Sequence, residues 1–151
     1  MKVKKVKDFM NTQIVSIKRA TPIGEIARIF LTHGFDFLPV VDEENHLLGV
    51  ITKKDILAPF IPEYFELLDS VDFISDFGSL ESSVTETLEH LLVAEDIMIK
   101  DPITIDEEAS LFKAIALISH HKVRHLPVVR QGKIVGIVSR TDILRAIFED
   151  K

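Results

Sequence analysis

The chain has 151 residues, of which 46% are hydrophobic and 28% are charged, so it can form one compact domain or two closely packed half-domains. It contains no cysteine, which excludes disulfides, thiolate nucleophiles and metal sites with cysteine ligands. No run of about 18 apolar residues occurs, and no apolar segment follows the basic N-terminus. We therefore expect a cytoplasmic protein that neither enters nor crosses a membrane.

The net charge of −6 is concentrated in the middle of the chain. Residues 58–93 contain eight acidic and no basic residues, whereas residues 1–57 contain nine basic and seven acidic ones, and residues 94–151 contain nine of each. Nucleic-acid binding requires a coherent basic stripe. Because the basic residues here are interspersed with acidic ones, the sequence argues against a nucleic-acid partner.

The first 57 residues predict a short strand, an amphipathic helix, two strands and a second helix. Pro22 marks the start of the first helix and Gly34 marks its end. Two apolar runs, residues 37–41 and 47–51, predict buried strands joined by a polar turn. Pro39 has no N–H to donate, so its strand should be unpaired on one side at that point.

Residues 58–93 predict two short acidic amphipathic helices rather than a flexible linker. Apolar residues recur at helical spacing in both halves of the segment, at Ile61, Tyr64, Phe65 and Leu68 and again at Leu80, Val84, Leu88 and Leu91. We expect their apolar faces to cover the protein's own core or a dimer contact. The alternative is a regulatory lid or a docking surface for a partner.

Residues 94–151 repeat the first part of the chain. Eight residues recur 88 positions later and four recur 87 positions later, namely Asp8, Met10, Ile17, His33, Leu38, Pro39, Val40 and Val41, and then Gly49, Asp55, Ile56 and Leu57. The one-residue deletion falls in the polar turn between the two strands. An internal repeat constrains the whole architecture, so the second copy should have the same elements. Its acidic residues 106–108 are predicted at the start of its first helix, where they would oppose the helix macrodipole.

Two motifs that occur in both copies resemble a known family. Each copy has Leu-Pro-Val-Val, at residues 38–41 and 126–129, and then a turn and a heptapeptide that ends in Asp, at residues 49–55 and 136–142. This pattern resembles the CBS domain, named after cystathionine beta-synthase. The resemblance extends over about residues 3–57 and 94–148.

The resemblance implies a mixed α/β (α+β) fold made of tandem β-α-β-β-α repeats. The two repeats would pack around a pseudo-two-fold axis and form one module with two clefts between them. The expected boundaries are residues 1–57 for the first repeat, 58–93 for the acidic helical insertion and 94–151 for the second repeat.

In many members of this family the clefts bind AMP, ADP, ATP or S-adenosylmethionine. The resemblance therefore implies a non-catalytic regulatory module that senses an adenine nucleotide, requires no cofactor and forms a homodimer of repeat pairs. One alternative is a ligand-free scaffold that dimerises or supports a partner protein. Another is an enzyme subunit or a nucleic-acid regulator whose effector domain has been lost or is supplied by another chain. The sequence contains no Gly-x-Ser-x-Gly, Gly-rich phosphate loop or His-Glu-x-x-His motif, so no reaction centre is predicted.

Thr52 and Asp55, like Ser139 and Asp142, are three residues apart where a strand should lead into a helix. This spacing is typical of a capping box, in which the hydroxyl and the acid satisfy N–H groups of the first helical turn. The same groups could instead bind the hydroxyls of a ribose, since a carboxylate accepts hydrogen bonds on both oxygens. By resemblance, the Asp of this motif contacts the ribose, and the Ser or Thr contacts the ribose or a phosphate.

The resemblance also implies that each cleft combines residues from both repeats. The first cleft would contain Thr52, Asp55, Met98, Ile103, Val123, Arg124 and His125. The second cleft would contain Ser139, Asp142, Met10, Val15, Phe35 and Asp36. The apolar members either sandwich a purine or simply belong to the core.

The charges predict that the two clefts differ. A His-Arg pair holds phosphates at the matching positions of the gamma subunit of AMP-activated protein kinase, which these residues resemble, and here the order is Arg124-His125. Asp36 stands in the place of Arg124 in the other copy, and at about 4 Å it would repel a phosphate by about 4 kcal/mol at an effective dielectric constant of 20. Protonation of His125 near a pKa of about 6.5 should favour phosphate binding.

The remaining histidines are weaker candidates. His120, His121 and His125 are close together in the sequence and could suggest a metal site together with His33. They lack the spacing of helical metal ligands and have no acidic partners nearby. We therefore assign no metal ligands and expect His120 and His121 at the surface.

Overall fold

The computed structural model describes residues 3–60 and 78–149. The first repeat contains α1 (Val6–Phe9), β1 (Ile17–Lys18), α2 (Ile23–His33), β2 (Phe37–Val41), β3 (Leu47–Thr52), α3 (Lys53–Leu57) and a short 3₁₀ turn (Ala58–Phe60). The insertion contributes α4 (Gly78–Leu91). The second repeat contains α5 (Ala94–Ile97), β4 (Ile99–Lys100), β5 (Ile105–Asp106), α6 (Leu111–His121), β6 (His125–Arg130), β7 (Lys133–Ser139) and α7 (Arg140–Phe148).

This order confirms the predicted α/β fold with two β-α-β-β-α repeats. Helix α4 also confirms a helix over the second half of the insertion. The helix predicted around residues 61–68 lies outside the described residues.

Each repeat builds a small sheet of its own. The strands of the first sheet follow the order β1-β2-β3-β4, in which β1 is parallel to β2 while β2, β3 and β4 are antiparallel neighbours. The second sheet has the order β5-β6-β7, with the same parallel and antiparallel pairings. Helices α2 and α6 provide the crossover that a parallel strand pair requires. Strand β4 comes from the second repeat but pairs with β3 of the first.

Pro39 and Pro127 lie in strands β2 and β6, just before the residues that pair with the parallel neighbours β1 and β5. Strand β2 is an interior strand, but β1 pairs with it only at Val40 and Val41. Pro39 lies just before this pairing begins, and on the other side it is opposite Val50. Strands β2 and β6 are therefore interior strands and not edges, and their proline ends lie outside the pairing with β1 and β5.

The helix ends confirm one sequence prediction and correct another. Gly34 closes α2 in the left-handed conformation with a φ of 67°, which glycine adopts without steric cost. The prediction for the acidic residues 106–108 was wrong, because α6 begins later and is capped by Ser110, whose hydroxyl accepts from the Lys113 N–H at 3.1 Å. Glu107 and Glu108 bind basic partners instead: Arg130 Nη2 donates to Glu107 at 3.0 Å, and Lys5 Nζ donates to Glu108 at 2.7 Å.

The N-terminal segment of each repeat packs into the core of the other repeat. Val6 of α1 is fully buried among residues of the second repeat, and its N–H donates to the Ala109 carbonyl at 2.8 Å. Ala94 of α5 is fully buried in the core of the first repeat, and its N–H donates to the Thr21 carbonyl at 2.9 Å. The two repeats therefore form one folding unit, since neither core is complete without the other repeat.

Two glycines allow this exchange because methionine side chains lie directly against them. A Cβ atom on Gly136 would lie 2.4 Å from the Met10 sulfur. A Cβ atom on Gly49 would lie 2.8 Å from the Met98 sulfur and 2.7 Å from the backbone oxygen of Ile99. These distances are too short for any side chain, so the segments can pack this closely only on glycine.

We expect Gly136→Ala and Gly49→Ala each to lower the free energy of unfolding by about 1–3 kcal/mol, because both overpack the contact between repeats. Met10→Ala should relieve much of the cost of Gly136→Ala, since the nearest atoms there belong to the Met10 side chain. Met98→Ala should relieve little of the cost of Gly49→Ala, because the Ile99 backbone oxygen remains.

Urea unfolding of the single and double variants measures both double-mutant cycles. Additive effects in the Met10 and Gly136 pair would contradict this packing.

Candidate functional site

A cavity of about 750 Å³ lies between the two repeats. Its lining combines the end of β3 and the start of α3 with the segments that precede β5 and β6. The lining residues are Asp36, Phe37, Val50, Thr52, Lys53, Lys54, Ile99, Asp101, Pro102, Ile103, Lys122, Val123, Arg124, His125 and Pro127. The structure therefore brings together five of the seven residues predicted for the first cleft. The other two, Asp55 and Met98, do not line the cavity directly.

Asp55 supports the cavity wall through a capping box. One carboxylate oxygen, Oδ2, accepts from the Thr52 backbone N–H at 2.8 Å and from the Thr52 hydroxyl at 2.9 Å. Within the described residues, the other oxygen, Oδ1, accepts no hydrogen bond. The half-buried carboxylate thus fixes the start of α3 and keeps one oxygen available as an acceptor.

The equivalent pair in the second repeat has the same geometry. Asp142 Oδ2 accepts from the Ser139 N–H at 2.8 Å and from its hydroxyl at 2.9 Å, while Ser139 Oγ accepts from the Asp142 N–H at 3.2 Å. The capping interpretation is confirmed in both repeats. The proposed ribose contact stays a prediction.

The cavity has an apolar wall and a charged rim. Ile103 and Val123 are half-buried members of the wall. Asp36 and Asp101 contribute the two acidic groups, and four basic residues outnumber them, namely Lys53, Lys54, Lys122 and Arg124. The rim is therefore net positive.

Only Arg124 and His125 were predicted as the basic part of this site. Lys53 and Lys54 lie between Thr52 and Asp55 in the heptapeptide of residues 49–55. Lys122 ends α6 with a φ of 55°, and this turn leads directly into the cavity lining. The motif itself could have identified the first two lysines, because residues beside a capping box share its end of the helix.

The rings of Phe37 and His125 mark the pseudo-two-fold axis. They occupy matching positions, 88 residues apart, and they stack with centroids 5.3 Å apart and planes 15° from parallel. The preceding residues, Asp36 and Arg124, consequently both line this cavity. The prediction placed Asp36 in the second cleft, whereas the structure places it beside Arg124, because residues next to the axis face the same space.

Asp36 has a basic partner at this position. Its Oδ1 lies 3.2 Å from the Lys53 Nζ, and both side chains are more than half exposed. An exposed pair of this kind contributes about 0–1 kcal/mol to stability. The pair therefore offsets the repulsion that Asp36 would exert on an anion, while holding the two charges together only weakly.

A family model for the CBS domain matches residues 6–60 and 93–149. The chain belongs to the CBS-domain family. Its fold is similar to that of CBSX2 from Arabidopsis thaliana in complex with AMP, with a TM-score of 0.73 and 27% identity, and the match covers 96% of each chain.

The chain also matches parts of longer proteins in sequence. The chloroplastic CBS domain-containing protein CBSX1 of Arabidopsis thaliana is 27% identical over 152 residues, which cover 89% of this chain and 59% of that protein. Inosine-5'-monophosphate dehydrogenase of Korarchaeum cryptofilum is 25% identical over 142 residues, which cover 93% of this chain and 24% of that enzyme. The chain therefore spans only part of the length of these two relatives.

The residues predicted for the second cleft have different surroundings. Met10 lies against Gly136 of β7, the strand that leads to Ser139. Phe35 instead stacks on His33, with centroids 5.3 Å apart, and packs against the core of the first repeat. Val15 is 37% exposed. The remaining predicted member, Asp36, lines the cavity of the first cleft.

Among the apolar residues predicted for the first cleft, Met98 belongs to the hydrophobic core. Its side chain packs against the core of the first repeat and lies over Gly49 on β3. It therefore packs against β3 three residues before the strand ends at Thr52. Its contribution to the site is to position the cavity wall.

Two further features bear on the function of the CBS pair. Among the described residues, no group of three His, Cys, Asp or Glu side chains could hold a metal ion, and His120 and His121 contact each other edge to face. No helix in that part of the chain is long and apolar enough to cross a membrane.

Burial lowers the pKa of His125 below its ordinary value of 6.5. The carboxylates of Asp36 and Asp142 act in the opposite direction, while the Arg124 and Arg140 guanidinium groups add to the lowering. The lowered pKa favours the neutral form of the His125 ring. The rise in phosphate affinity that the sequence predicts on acidification moves to a pH below 6.5.

We expect an NMR titration of the His125 ring protons to give a pKa below 6.5, and Asp36→Asn to lower that pKa further by removing a favourable negative charge. Asp101→Asn, which changes a carboxylate on the same rim, is the matched control and should have a smaller effect. A pKa at or above 6.5 in the wild type would contradict this environment.

The same shift predicts a pH dependence of stability. The unfolded His125, with a pKa of about 6.5, binds more protons than the folded one between the two pKa values. Its contribution to stability is present above pH 6.5 and is lost as the pH falls through the folded pKa.

Proposed function

We propose that this CBS pair is a non-catalytic regulatory module that binds an adenine nucleotide in the cavity between its repeats. One observation carries the proposal. A single cavity combines an apolar wall, a basic rim and Thr52, whose N–H and hydroxyl bind the capping carboxylate of Asp55 just behind the lining. These are the three kinds of group that a purine, a ribose and a phosphate require.

Each part of a nucleotide has a matching region. The purine would lie between Ile103 and Val123, where apolar side chains exclude water. The ribose hydroxyls would donate to Asp55 Oδ1 in the first turn of α3, next to Thr52 of the cavity lining. The phosphate would lie beside Arg124 and Lys53, since hydrogen bonds between charged partners are the stronger ones. A volume of about 750 Å³ is within the range of about 300–1,000 Å³ for small-molecule sites.

The charge of the rim favours AMP, ADP or ATP over S-adenosylmethionine. Four basic residues and two acidic ones line the cavity. By Coulomb's law, this net positive charge attracts an anionic ligand and repels a cationic sulfonium group. The complex of CBSX2 with AMP supports an adenine nucleotide as the ligand. The asymmetric clefts support one stronger site per chain, formed by Thr52, Asp55, Arg124 and His125.

We further propose that the CBS pair acts as a homodimer and is cytoplasmic. The support for a dimer is an apolar surface on the second repeat that the described residues leave uncovered. A purely structural role as a ligand-free dimerisation scaffold is the second candidate function, and the same surface favours it. The two candidates differ in whether nucleotide binding stabilises the protein.

Titration of the purified chain with AMP, ADP, ATP, adenosine and S-adenosylmethionine, followed by melting temperature, tests the proposed function. A nucleotide at 100 times its dissociation constant should stabilise the native state by about 2.7 kcal/mol. Stabilisation by AMP that is absent with S-adenosylmethionine is the expected result. Five ligands without any effect would leave only the scaffold function.

Within the same titration, Arg124→Ala should weaken AMP and ADP about tenfold or more, since it removes a charged partner of the phosphate. Adenosine has no phosphate and should bind as it does to the wild type. Arg19→Ala changes an exposed arginine outside the cavity lining and is the control. An equal loss for adenosine and ADP would place the phosphate elsewhere.

A further inference from the structure

We infer that helix α4 of the insertion positions α3, and through α3 the Thr52 side of the cavity, so that docking of α4 and binding of a nucleotide strengthen each other. This coupling deepens the proposed function and rests on it. It gives the insertion, which lies between the two repeats, a regulatory effect on one wall of the cavity.

Helix α3 connects the cavity to α4 over five residues. At its start, Thr52 lines the cavity, and the Thr52 N–H and hydroxyl donate to Asp55 Oδ2 at 2.8 and 2.9 Å. At its other end, Ile56 and Phe60 of the following 3₁₀ turn share a second, smaller cavity with Glu89 of α4. Because Asp55 and Ile56 are consecutive residues of one helical turn, a shift of α3 on the α4 side also moves the Asp55 carboxylate.

Helix α4 contacts α2 through Glu89. A Cβ atom on Gly24 would lie 2.4 Å from the Glu89 Cγ, so the absence of a side chain on Gly24 lets the helices approach this closely. Further along α2, Arg28 Nη1 lies 3.1 Å from Glu89 Oε1. The matching positions of the second repeat hold Phe112 and Ala116, which offer neither the space nor the charge. The fit of α4 is therefore specific to the first repeat, which also supplies α3.

Helix α4 is anchored at its C-terminal end and held more weakly along its length. The Ile23 N–H donates to the Leu92 carbonyl at 2.9 Å, just after α4 ends. The ion pair of Arg28 and Glu89 contributes little, because its side chains are 67% and 38% exposed. A cavity of about 290 Å³ between α2, α3 and α4 leaves the surrounding atoms with fewer packing contacts. A modest free energy is therefore enough to shift α4 on α2.

Two of the groups that bind the nucleotide in the proposed mode belong to α3. Lys53 is the first residue of the helix and lines the cavity, where its Nζ lies 3.2 Å from Asp36 Oδ1. Asp55, in the same turn, would accept from the ribose through Oδ1. When a docked α4 orders this turn, the ligand no longer has to supply the conformational entropy of ordering it. By thermodynamic linkage, a bound nucleotide then favours docking of α4 by the same factor.

An engineered disulfide between α2 and α4 tests the coupling. The chain has no cysteine, so Gly24→Cys with Glu89→Cys introduces the only pair. The Glu89 Cβ is one bond of about 1.5 Å from Cγ and hence within about 4 Å of a Cβ on residue 24, and a disulfide needs about 3.5–4.5 Å. Oxidation fixes α4 on α2, and reduction releases it in a protein that also lacks the ion pair with Arg28.

We expect the oxidised double variant to bind AMP at least threefold more tightly than the same protein after reduction, as measured by calorimetry. Without nucleotide, the Ala58 N–H, which donates to the Lys54 carbonyl at the end of α3, should exchange with solvent at least threefold more slowly in the oxidised form. Amides of α7 in the second repeat should exchange equally in both forms. The wild type controls for the reductant, because it has no thiol.

A matched pair of charge reversals on α4 tests the same coupling without a disulfide. Glu89→Arg places a second positive charge beside Arg28 and should release α4, so AMP affinity should fall at least threefold. Glu86→Arg makes the same change at an exposed residue outside the cavity between α2 and α4, and it should leave AMP affinity near that of the wild type. Melting curves establish that each variant is folded.

The outcomes separate the coupling from the function on which it rests. Equal AMP affinity in the oxidised and reduced forms, with equal affinity in Glu89→Arg and Glu86→Arg, would overturn the coupling, while AMP binding by the wild type would keep the proposed function. Slower exchange in α3 without a change in AMP affinity would also overturn it, because α4 would then hold α3 without affecting the cavity. No AMP binding by any form, the wild type included, would remove the proposed function and the coupling together.

Discussion

The exchange of N-terminal segments between the repeats is the constraint on which the rest of the structure depends. Val6 completes the core of the second repeat and Ala94 completes the core of the first. This exchange places β4 beside β3, and Ile103, three residues after β4, lines the same cavity as Thr52. The cavity exists because of this arrangement, since its walls come from two repeats that cannot fold apart. A ligand in the cavity would contact both repeats and stabilise their mutual packing.

The Thr52–Asp55 and Ser139–Asp142 pairs cap helices, and each carboxylate keeps one oxygen that the cap does not use. Asp55 and Asp142 each use Oδ2 to fix the start of a helix, so their capping function requires no ligand. What distinguishes the two sites is the surrounding charge. Lys53 and Arg124 lie on the rim of the described cavity, and the stacked rings of Phe37 and His125 bring Asp36 to the same rim. The pseudo-symmetry of the fold therefore places Asp36 and Arg124, which occupy matching positions, on the rim of one cavity.

The sequence predicted the elements and the caps well because these depend on local chemistry. Gly34 ends its helix and Ser139 begins one for reasons that are contained in a few neighbouring residues. The position of Asp36 and the start of α6 were not predicted correctly, because they depend on the pseudo-two-fold axis and on the partners of Glu107 and Glu108. The packing of α4 against α2, where Arg28 Nη1 lies 3.1 Å from Glu89 Oε1, could not be predicted either. Helical spacing in the insertion does not reveal which surface its helix contacts. Gly24 was a usable signal, as a glycine in the first turn of a helix often marks a close approach.

The most direct test of this account is a calorimetric titration of AMP into Asp55→Asn and Asp142→Asn. Asparagine keeps an acceptor oxygen for the cap but removes the charge, so both variants should remain folded with little loss of stability. The account predicts at least a tenfold loss of AMP affinity at the stronger site in Asp55→Asn and near wild-type affinity at that site in Asp142→Asn. Wild-type affinity in both variants, or the larger loss in Asp142→Asn, would contradict the assignment of the nucleotide to the cavity beside Thr52.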